Sequence, residues 1–192
     1  MKKERSLEYE DEKLILLTQK GKMKAFEILV NRYKKNAYFI ALGLVGNSED
    51  AYDLSQDAFV KVYRSINKYN GTSKFFPWFY TILTNLCKNH LKRQNVKKRY
   101  LSQETERQKL NSEAQNSSNS EEKLEKLALK EKLLEEIEKL PFKFKEIIVL
   151  KHFRDLSYKE ISEVLEIPIG SVMSRLYYAR KKLKESLKDF RE

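Results

Sequence analysis

One stretch of the chain combines basic and aromatic residues in a pattern that could bind single-stranded nucleic acid. Between Ala58 and Gln103 there is no Asp or Glu, and the ten basic residues are Lys61, Arg64, Lys68, Lys74, Lys88, Lys92, Arg93, Lys97, Lys98 and Arg99. The aromatic residues near its centre are Tyr69, Phe75, Phe76, Trp78, Phe79 and Tyr80. Cations neutralise phosphates, and rings stack on exposed bases for about 1–3 kcal/mol each. Most individual rings are expected to pack in a core, so the prediction applies to the stretch as a whole.

A second basic segment has the pattern of a helix that lies in the major groove of DNA. From Ile167 to Lys184 it has no acid, and its cations are Arg175, Arg180, Lys181, Lys182 and Lys184. At 100° per residue, the face expected to pack on the domain collects Val172, Leu176, Ala179 and Leu183, and the opposite face collects Gly170, Ser174, Tyr177, Tyr178 and Lys181. An ordinary amphipathic helix with a basic outer face is the alternative. The capped helix and tight turn that precede the segment favour DNA binding.

Carboxylates cluster just before the basic stretch, at Glu49, Asp50, Asp53 and Asp57. Asp53 and Asp57 are one helical turn apart, so one interpretation is a metal site in an enzyme that cleaves or joins nucleic acid. No nucleophile or general base accompanies them, and a docking face for a basic partner is the simpler interpretation. The other candidate ligands are few, namely Cys87, His90 and His152. We therefore expect no catalytic residue, no metal site and no cofactor.

The composition indicates a helical protein with a polyanionic partner. The 192 residues include 39 basic and 28 acidic ones, which gives a net charge of +11. With 41% hydrophobic residues a core can form, and only 5 Gly and 3 Pro favour long helices over the turns of an all-β domain. A single cysteine excludes an internal disulfide and suits a reducing compartment. No apolar run is long enough to span a bilayer and the start lacks a secretory signal, so we expect a cytoplasmic protein that is not an integral membrane protein.

Apolar spacing predicts an all-α fold of two small helical domains joined by a flexible linker. Three- and four-residue spacing predicts helices over 11–20, 22–45, 48–68 and from Pro77 to about 94, with Asn47 or Ser48 as a cap. The polar residues 94–122 have little to bury. Apolar spacing resumes at Leu124 and Leu127, and a capping box at 157–160 and a turn at 166–168 precede a last helix over 168–188. The predicted units are 10–94, the linker 95–122, and 123–190.

In this order, the features resemble an extracytoplasmic-function sigma factor of the sigma-70 family of bacterial RNA polymerase, over about 22–93 and 124–187. Residues 50–63, DAYDLSQDAFVKVY, resemble the region 2 helix that docks on core polymerase. The resemblance implies core-polymerase contacts at Asp53, Leu54, Gln56, Asp57 and Phe59. Residues 75–93 resemble the segment that recognises and melts the −10 element, and 69–74 resemble the loop that captures an extruded base. The implied −10 contacts are Lys61, Arg64, Tyr69, Asn70, Lys74, Phe75, Phe76, Trp78, Tyr80, Lys88, Lys92 and Arg93.

Residues 156–183 resemble the region 4 helix-turn-helix that binds the −35 element. The implied −35 contacts are Ser157, Ser171, Met173, Ser174, Arg175, Tyr177, Tyr178 and Lys181. The chain departs from the family pattern at several positions. Thr81 and Thr84 replace arginines that are frequent in the −10 helix, and Glu166 replaces a glycine of the turn. Met173 and Tyr178 stand where base-contacting cations are common, which weakens the case for guanine recognition by Arg or Lys.

The resemblance implies a promoter-specificity subunit without catalysis of its own. Its partners would be core RNA polymerase, duplex DNA at the −35 element and single-stranded DNA at the −10 element. It also implies an anti-sigma factor, often membrane-bound, which no residue identifies. A conventional repressor or activator that dimerises on palindromes is the alternative, although a sensory domain has no need of the acid-free aromatic stretch. An enzyme that cleaves or joins nucleic acid is the third hypothesis.

Overall fold

All regular secondary structure of the described residues is helical. The computed structural model describes residues 10–71, 74–104, 129 and 132–188. The helices are α1 (Asp11–Gln19), α2 (Met23–Val45), α3 (Ser48–Ser65), α4 (Phe75–Glu104), α5 (132–139), α6 (Phe142–Arg154), α7 (Tyr158–Leu165) and α8 (Ile169–Ser186), with a 3-10 turn at Ile66–Lys68. The predicted all-α class is confirmed. None of these helices combines the length and apolarity that crossing a membrane requires.

A tight connection between α2 and α3 sets the layout of the N-terminal half. Gly46 ends α2 in the left-handed conformation, at φ +78°, and its N–H donates to the carbonyl of Leu42. Asn47 then caps α3, because its Oδ1 accepts hydrogen bonds of 2.9 Å from the N–H groups of Glu49 and Asp50. The predicted break and cap at this point are confirmed. The caps reverse the chain, so that α3 packs along α2.

The buried face of α4 differs from the predicted one. Apolar spacing predicts an inward face of Ile82, Leu83, Leu86, His90 and Leu91. Leu83 is buried, but the stripe that packs into the N-terminal core starts at Phe75 and continues through Phe79 to Cys87. The rings of the first turn determine this rotation. Phe79 stacks on Phe59 of α3 with ring centroids 5.0 Å apart. Aromatic contacts at one end of a helix thus decide which face is buried along its length.

Part of the predicted linker is helical. α4 continues to Glu104, because residues 95–104 contain no Gly or Pro and several residues of high helix propensity. Residues 105–122 of the predicted linker, the predicted apolar positions Leu124 and Leu127, and loop residues 72–73 lie outside the described residues. The predicted unit boundaries therefore stay predictions.

α6 contributes to the cores of both halves. Four consecutive residues, Ile147, Ile148, Val149 and Leu150, are buried, although one face of an amphipathic helix would bury about half of them. The reason is that α6 packs against α8 on one side and against α2 on the other. The C-terminal helices are thus packed against the N-terminal half in addition to being connected to it through the chain.

Polar contacts surround this packing between the two halves. Lys145 of α6 is buried, and its Nζ lies 3.5 Å from the carbonyl oxygen of Leu44 on α2. The guanidinium carbon of Arg154, at the end of α6, lies 4.5 Å from the ring centroid of Phe76 on α4. α7 also packs against α4. We refer to these contacts of α6 and α7 with α2 and α4 as the inter-half interface.

α7 and α8 form a helix-turn-helix. Ser157 caps α7 in the predicted capping box, accepting a 3.2 Å hydrogen bond from the N–H of Glu160 while its own N–H donates to Glu160 Oε2 at 2.8 Å. The turn contains Glu166 at φ +52°, the left-handed conformation that a glycine adopts without strain. Val172 and Leu176 of α8 are buried, as predicted, so the opposite face of α8 points to solvent.

Candidate protein and nucleic-acid interfaces

The predicted protein-docking residues of α3 divide into an exposed and a buried group. Asp53, Gln56 and Asp57 are exposed and form an acidic face on α3. Leu54 and Phe59 are buried. At helical spacing the inward-facing members of such a motif pack in the core, and these two residues hold α3 in place. The side chains of the other three are open to solvent, and contact of any of the five with a partner stays a prediction.

An apolar groove that the sequence analysis did not predict lies beside this acidic face, between α2 and α3. Its volume is about 950 Å³, and its lining includes Phe26, Val30, Tyr52, Val60 and Tyr63. Tyr52, Val60 and Tyr63 are exposed large side chains on a helix with polar neighbours. Helical spacing in the sequence could have predicted this apolar face, since these three residues fall within about 80° of one another on a helical wheel. We call this feature the α2–α3 groove.

Tyr69 and Trp78 form an aromatic pair at the start of α4. Their ring centroids lie 5.1 Å apart, and both side chains are partly exposed. Gln19 of α1 holds the preceding loop, because its Nε2 donates to the carbonyl oxygens of Ile66 and Tyr69 at 2.8 Å and 3.0 Å. The pair is therefore held in a defined position with ring surface available to a base.

Other rings of the predicted −10 set are not available to bases. Phe75 is 1% exposed and Tyr80 is 2% exposed, so both belong to the core. Phe76 is partly exposed, but Arg154 covers its ring. Packing explains this correction, since a helix with five aromatic residues in its first six positions must turn several of them inward. Of the predicted rings, Tyr69 and Trp78 have the most suitable surroundings for stacking.

The polar members of the predicted −10 set are all exposed, and they are Lys61, Arg64, Asn70, Lys74, Lys88, Lys92 and Arg93. Lys74 and Lys88 are also directed toward the C-terminal half. Lys74 Nζ lies 3.9 Å from Glu163 Oε2 on α7, and Lys88 Nζ lies 3.7 Å from Glu146 Oε1 on α6. These two lysines thus have carboxylate partners within the chain where the prediction placed phosphates.

The ion pair between Lys88 and Glu146 at the inter-half interface is partly desolvated. Burial raises the pKa of the Glu146 carboxyl, while the nearby charges of Lys88 and Arg175 act in the opposite direction. Burial lowers the pKa of the neighbouring Lys145. Two cations therefore help to keep Glu146 ionised in a place where its charge would otherwise be costly.

The outer face of α8 carries most of the predicted −35 residues. Met173 is 54% exposed, Tyr177 63% and Tyr178 54%, and Ser174 and Lys181 are exposed as well. The rings of Tyr177 and Tyr178 meet edge to face with centroids 5.4 Å apart. Exposed side chains in the first half of the second helix are those that a helix-turn-helix presents to base edges.

Three predicted −35 residues are less available. Ser157 is exposed, but its hydroxyl is engaged in the capping box and donates to Glu160 Oε2 at 2.7 Å. Ser171 is half-buried. Arg175 is also half-buried, and it is close enough to Glu146 of α6 for its charge to act against the raised pKa of that carboxyl. The first half of α8 therefore presents no exposed cation.

Of the carboxylates near the proposed metal site, Asp50 pairs with residues of α4. Asp50 Oδ2 lies 3.2 Å from His90 Nε2 and accepts a 3.2 Å hydrogen bond from Gln94 Nε2. Among the residues that the structure describes, no three His, Cys, Asp or Glu side chains are arranged to hold a metal ion. Cys87 is buried, which raises its pKa to about 12 and keeps it a thiol.

Solved structures share the fold. CnrH in complex with the cytosolic domain of CnrY aligns over 93% of this chain and 97% of that chain, with a TM-score of 0.66 and 22% identity. The sigma factor RpoE in complex with the anti-sigma factor NepR from Bartonella quintana aligns over 86% and 98%, with a TM-score of 0.58 and 23% identity. At these identities the likeness concerns the fold.

Sequence comparisons identify the family. Sigma-70 region 2 matches residues 29–96, and sigma-70 region 4 matches residues 130–183. The ECF RNA polymerase sigma factor SigW of Bacillus subtilis is 33% identical over 181 residues, 92% of this chain and 96% of that protein. The ECF RNA polymerase sigma-E factor of Escherichia coli is 33% identical over 173 residues, 88% and 90% of the two chains. With both regions matched and most of each relative covered, the chain belongs to the extracytoplasmic-function sigma factors of the sigma-70 family.

Proposed function

We propose that this sigma factor binds core RNA polymerase, directs it to a subset of promoters and helps to melt them, with no catalytic activity of its own. The observation that carries the proposal is the acidic face of α3 beside the α2–α3 groove. The chain has a net charge of +11, and no acid occurs between Ala58 and Gln103. An exposed carboxylate face in such a chain suits a basic protein partner, whereas the cations around it suit DNA.

We propose that core polymerase docks on α3. Asp53, Gln56 and Asp57 supply two carboxylates and an amide for a basic partner helix. The α2–α3 groove adds apolar surface next to them, where an aromatic or aliphatic side chain of the partner would be buried. Leu54 holds α3 in position from the core, and Phe59, although mostly buried, lines the groove and would contact that side chain.

We propose that the N-terminal half holds the melted −10 strand on Tyr69 and Trp78. The position of this pair above a loop held by Gln19 supports stacking on an extruded base. Exposed lysines and arginines along α3 and α4 would follow the phosphates, with Lys92 and Arg93 in the place of the arginines that are absent at Thr81 and Thr84.

The helix-turn-helix of α7 and α8 is proposed to bind duplex DNA at the −35 element. The exposed face of α8 would enter the major groove, and the cations in its second half would contact phosphates on either side. The solved Bartonella quintana structure of similar fold contains an anti-sigma factor, and we propose the same kind of control here, in the cytoplasm where polymerase and chromosome meet.

Transcription from a promoter library with purified core polymerase tests the proposal. We expect start-site-specific run-off transcripts in the presence of the protein that core polymerase alone does not make. Identical transcripts with and without the protein would contradict the proposed function. Binding to a palindromic duplex by a dimer, without core polymerase, would favour a conventional repressor or activator instead.

A further inference from the structure

The first half of α8 exposes an uncharged surface. Residues 169–178 present Ile169, Met173, Ser174, Tyr177 and Tyr178 to solvent, and Gly170 lies among them. The only charged residue of this segment is Arg175, which is half-buried. The exposed cations of α8 begin at Arg180. The part of the helix that approaches base edges and the part that carries positive charge are thus separated along the helix axis.

The chemistry of this surface limits which bases it can recognise. In the major groove, guanine is recognised by Arg or Lys, adenine by Asn or Gln, and cytosine by Asp or Glu. Among the exposed residues of 169–178, none is of these types. What the segment does expose is the thioether of Met173, two tyrosine rings and small hydroxyl side chains. Apolar side chains contact the 5-methyl group of thymine, and serine hydroxyls bond to more than one base.

Charge around this surface fits duplex DNA as its occupant. Met173 and Tyr177 line one shallow groove of about 570 Å³ together with Arg180, Lys181, Lys184 and one carboxylate, Glu185, which lies 4.0 Å from Lys181 Nζ. Lys159 and Tyr158, at the start of α7, are exposed as well. Cations beyond an apolar strip match a major groove in which methyl groups lie between two rows of phosphates.

We propose that this sigma factor recognises the −35 element through thymine methyl groups that contact Met173 and Tyr177. The Ser174 hydroxyl, which donates to the carbonyl oxygen of Ser171 at 3.1 Å, would accept a hydrogen bond from a neighbouring base. This inference rests on the proposed function and names the class of DNA sequence that the helix-turn-helix binds. The −35 elements it selects are rich in thymine on the contacted strand and have no required guanine.

The test uses holoenzyme reconstituted from core polymerase and the full chain. A promoter library with a randomised −35 element is selected by transcription, and thymines of the selected element are then replaced one at a time by deoxyuridine, which removes only the 5-methyl group. We expect thymine to be enriched, and each contacted methyl to contribute about fourfold to promoter affinity, the value for burying one methyl-sized group.

Variants assign the contact to a residue. With Met173→Ala holoenzyme, deoxyuridine at one thymine position should have no further effect, and Met173→Arg should change the selected base at that position toward guanine. Leu16→Ala, which truncates an exposed apolar side chain on α1, is the matched control and should leave selection unchanged.

Enrichment of guanine by the unaltered holoenzyme would overturn the inference while leaving the proposed function intact. Enrichment of thymine without sensitivity to deoxyuridine would also overturn it, because DNA shape would then account for the preference. Absence of any start-specific transcript would overturn the proposed function itself, and this inference with it.

Discussion

Trp78 and Tyr80 are two residues apart on α4 but have opposite environments. Trp78 is partly exposed beside Tyr69, whereas Tyr80 is buried and its hydroxyl has no hydrogen-bond partner among the described residues. Burial also raises the pKa of the Tyr80 hydroxyl. The buried ring of Tyr80 cannot stack on a base, and its buried hydroxyl cannot contact a phosphate. The two residues therefore have different roles.

Substitutions at these two positions should therefore have different effects. Trp78→Ala should weaken holoenzyme binding to a promoter with a single-stranded −10 segment by about 5- to 160-fold, the value of one base stacked on an aromatic ring. Tyr80→Phe should leave this binding unchanged and leave stability equal or slightly higher, because it removes an unpaired buried hydroxyl. Fluorescence anisotropy of labelled promoter DNA measures the first effect and thermal unfolding the second. Loss of promoter binding in Tyr80→Phe would contradict the burial of this residue.

The carboxylates of α3 carry a separate prediction about core polymerase. Asp53→Asn combined with Asp57→Asn should weaken core binding by about 5- to 30-fold, and the remaining affinity should depend less steeply on salt, because two interfacial charges are gone. Glu12→Gln removes an exposed carboxylate elsewhere and is the control. Titration of labelled protein with core polymerase at several salt concentrations provides the measurement. Equal affinities for the double variant and the control would refute docking on this face.

At the scale of the element, the capping box of α7 links helix stability to pH. Hydrogen bonds from the Ser157 hydroxyl and N–H lower the pKa of Glu160. A carboxyl whose pKa is lower in the folded than in the unfolded state stabilises the fold above its unfolded pKa, near 4.3. That contribution is lost as the pH falls through the lower, folded-state pKa.

Ser157→Ala should consequently destabilise the protein by about 1 kcal/mol at neutral pH, the usual value of an N-cap serine. The difference from the unaltered protein should shrink as the pH falls through the lowered pKa of Glu160 and its carboxyl becomes protonated. Denaturant unfolding between pH 3.5 and 7 measures both. Ser48→Ala, at the start of α3 where Asn47 is the cap, should change stability less. A pH-independent difference would mean that the serine acts without Glu160.

Elements with strong local signals were predictable from the sequence. The helix 22–45 and the capping box at 157–160 depend on apolar spacing and on capping residues a few positions away, and the structure confirms them. The buried face of α4 was not predictable in this way, because Phe79 packs on Phe59, a contact across twenty residues. Which ring of the aromatic segment 75–80 would stay partly exposed, as Trp78 does, was not predictable from the sequence either. Burial of these rings depends on which helices cover them, and apolar spacing along a single helix does not contain that information.

At the scale of the whole molecule, the inter-half interface keeps the two halves together, whereas the proposed function requires them to reach two distant DNA elements. The −10 and −35 elements are about 25 base pairs apart, or roughly 85 Å of duplex at 3.4 Å per base pair. α7 and α4 are in contact here, and α8 is only 18 residues long, about 27 Å. A molecule that holds both elements must therefore separate the two halves or bend the DNA between them.

We expect the two halves to separate on promoter DNA, and the distance between a label on each half can measure this. Cysteines introduced at Asn67 and Lys182, both exposed, would carry a donor and an acceptor dye. Cys87, the single native cysteine, is buried with a pKa of about 12 and should not compete for the dyes. The free protein should give one narrow distance distribution, and the promoter-bound holoenzyme a longer one.

Arg154→Ala, which uncovers Phe76, should broaden the distribution of the free protein. Lys151→Ala is the control, because Lys151 pairs with Asp155 within its own half. The same narrow distribution in the free and the promoter-bound states would show that the halves stay together, and DNA bending would then have to bring the two elements to the protein.

The packing of Arg154 over Phe76 at the inter-half interface also bears on where copies of the protein without polymerase reside in the cell. A chain with 39 basic residues has millions of weak, sequence-independent sites available on a chromosome. Its apparent affinity through any surface that the inter-half interface covers, such as the Phe76 ring, is reduced in proportion to the fraction of molecules in which that surface is uncovered. We therefore expect molecules with this interface closed to bind the chromosome less, so that the stability of the interface sets what share of them stays free to diffuse.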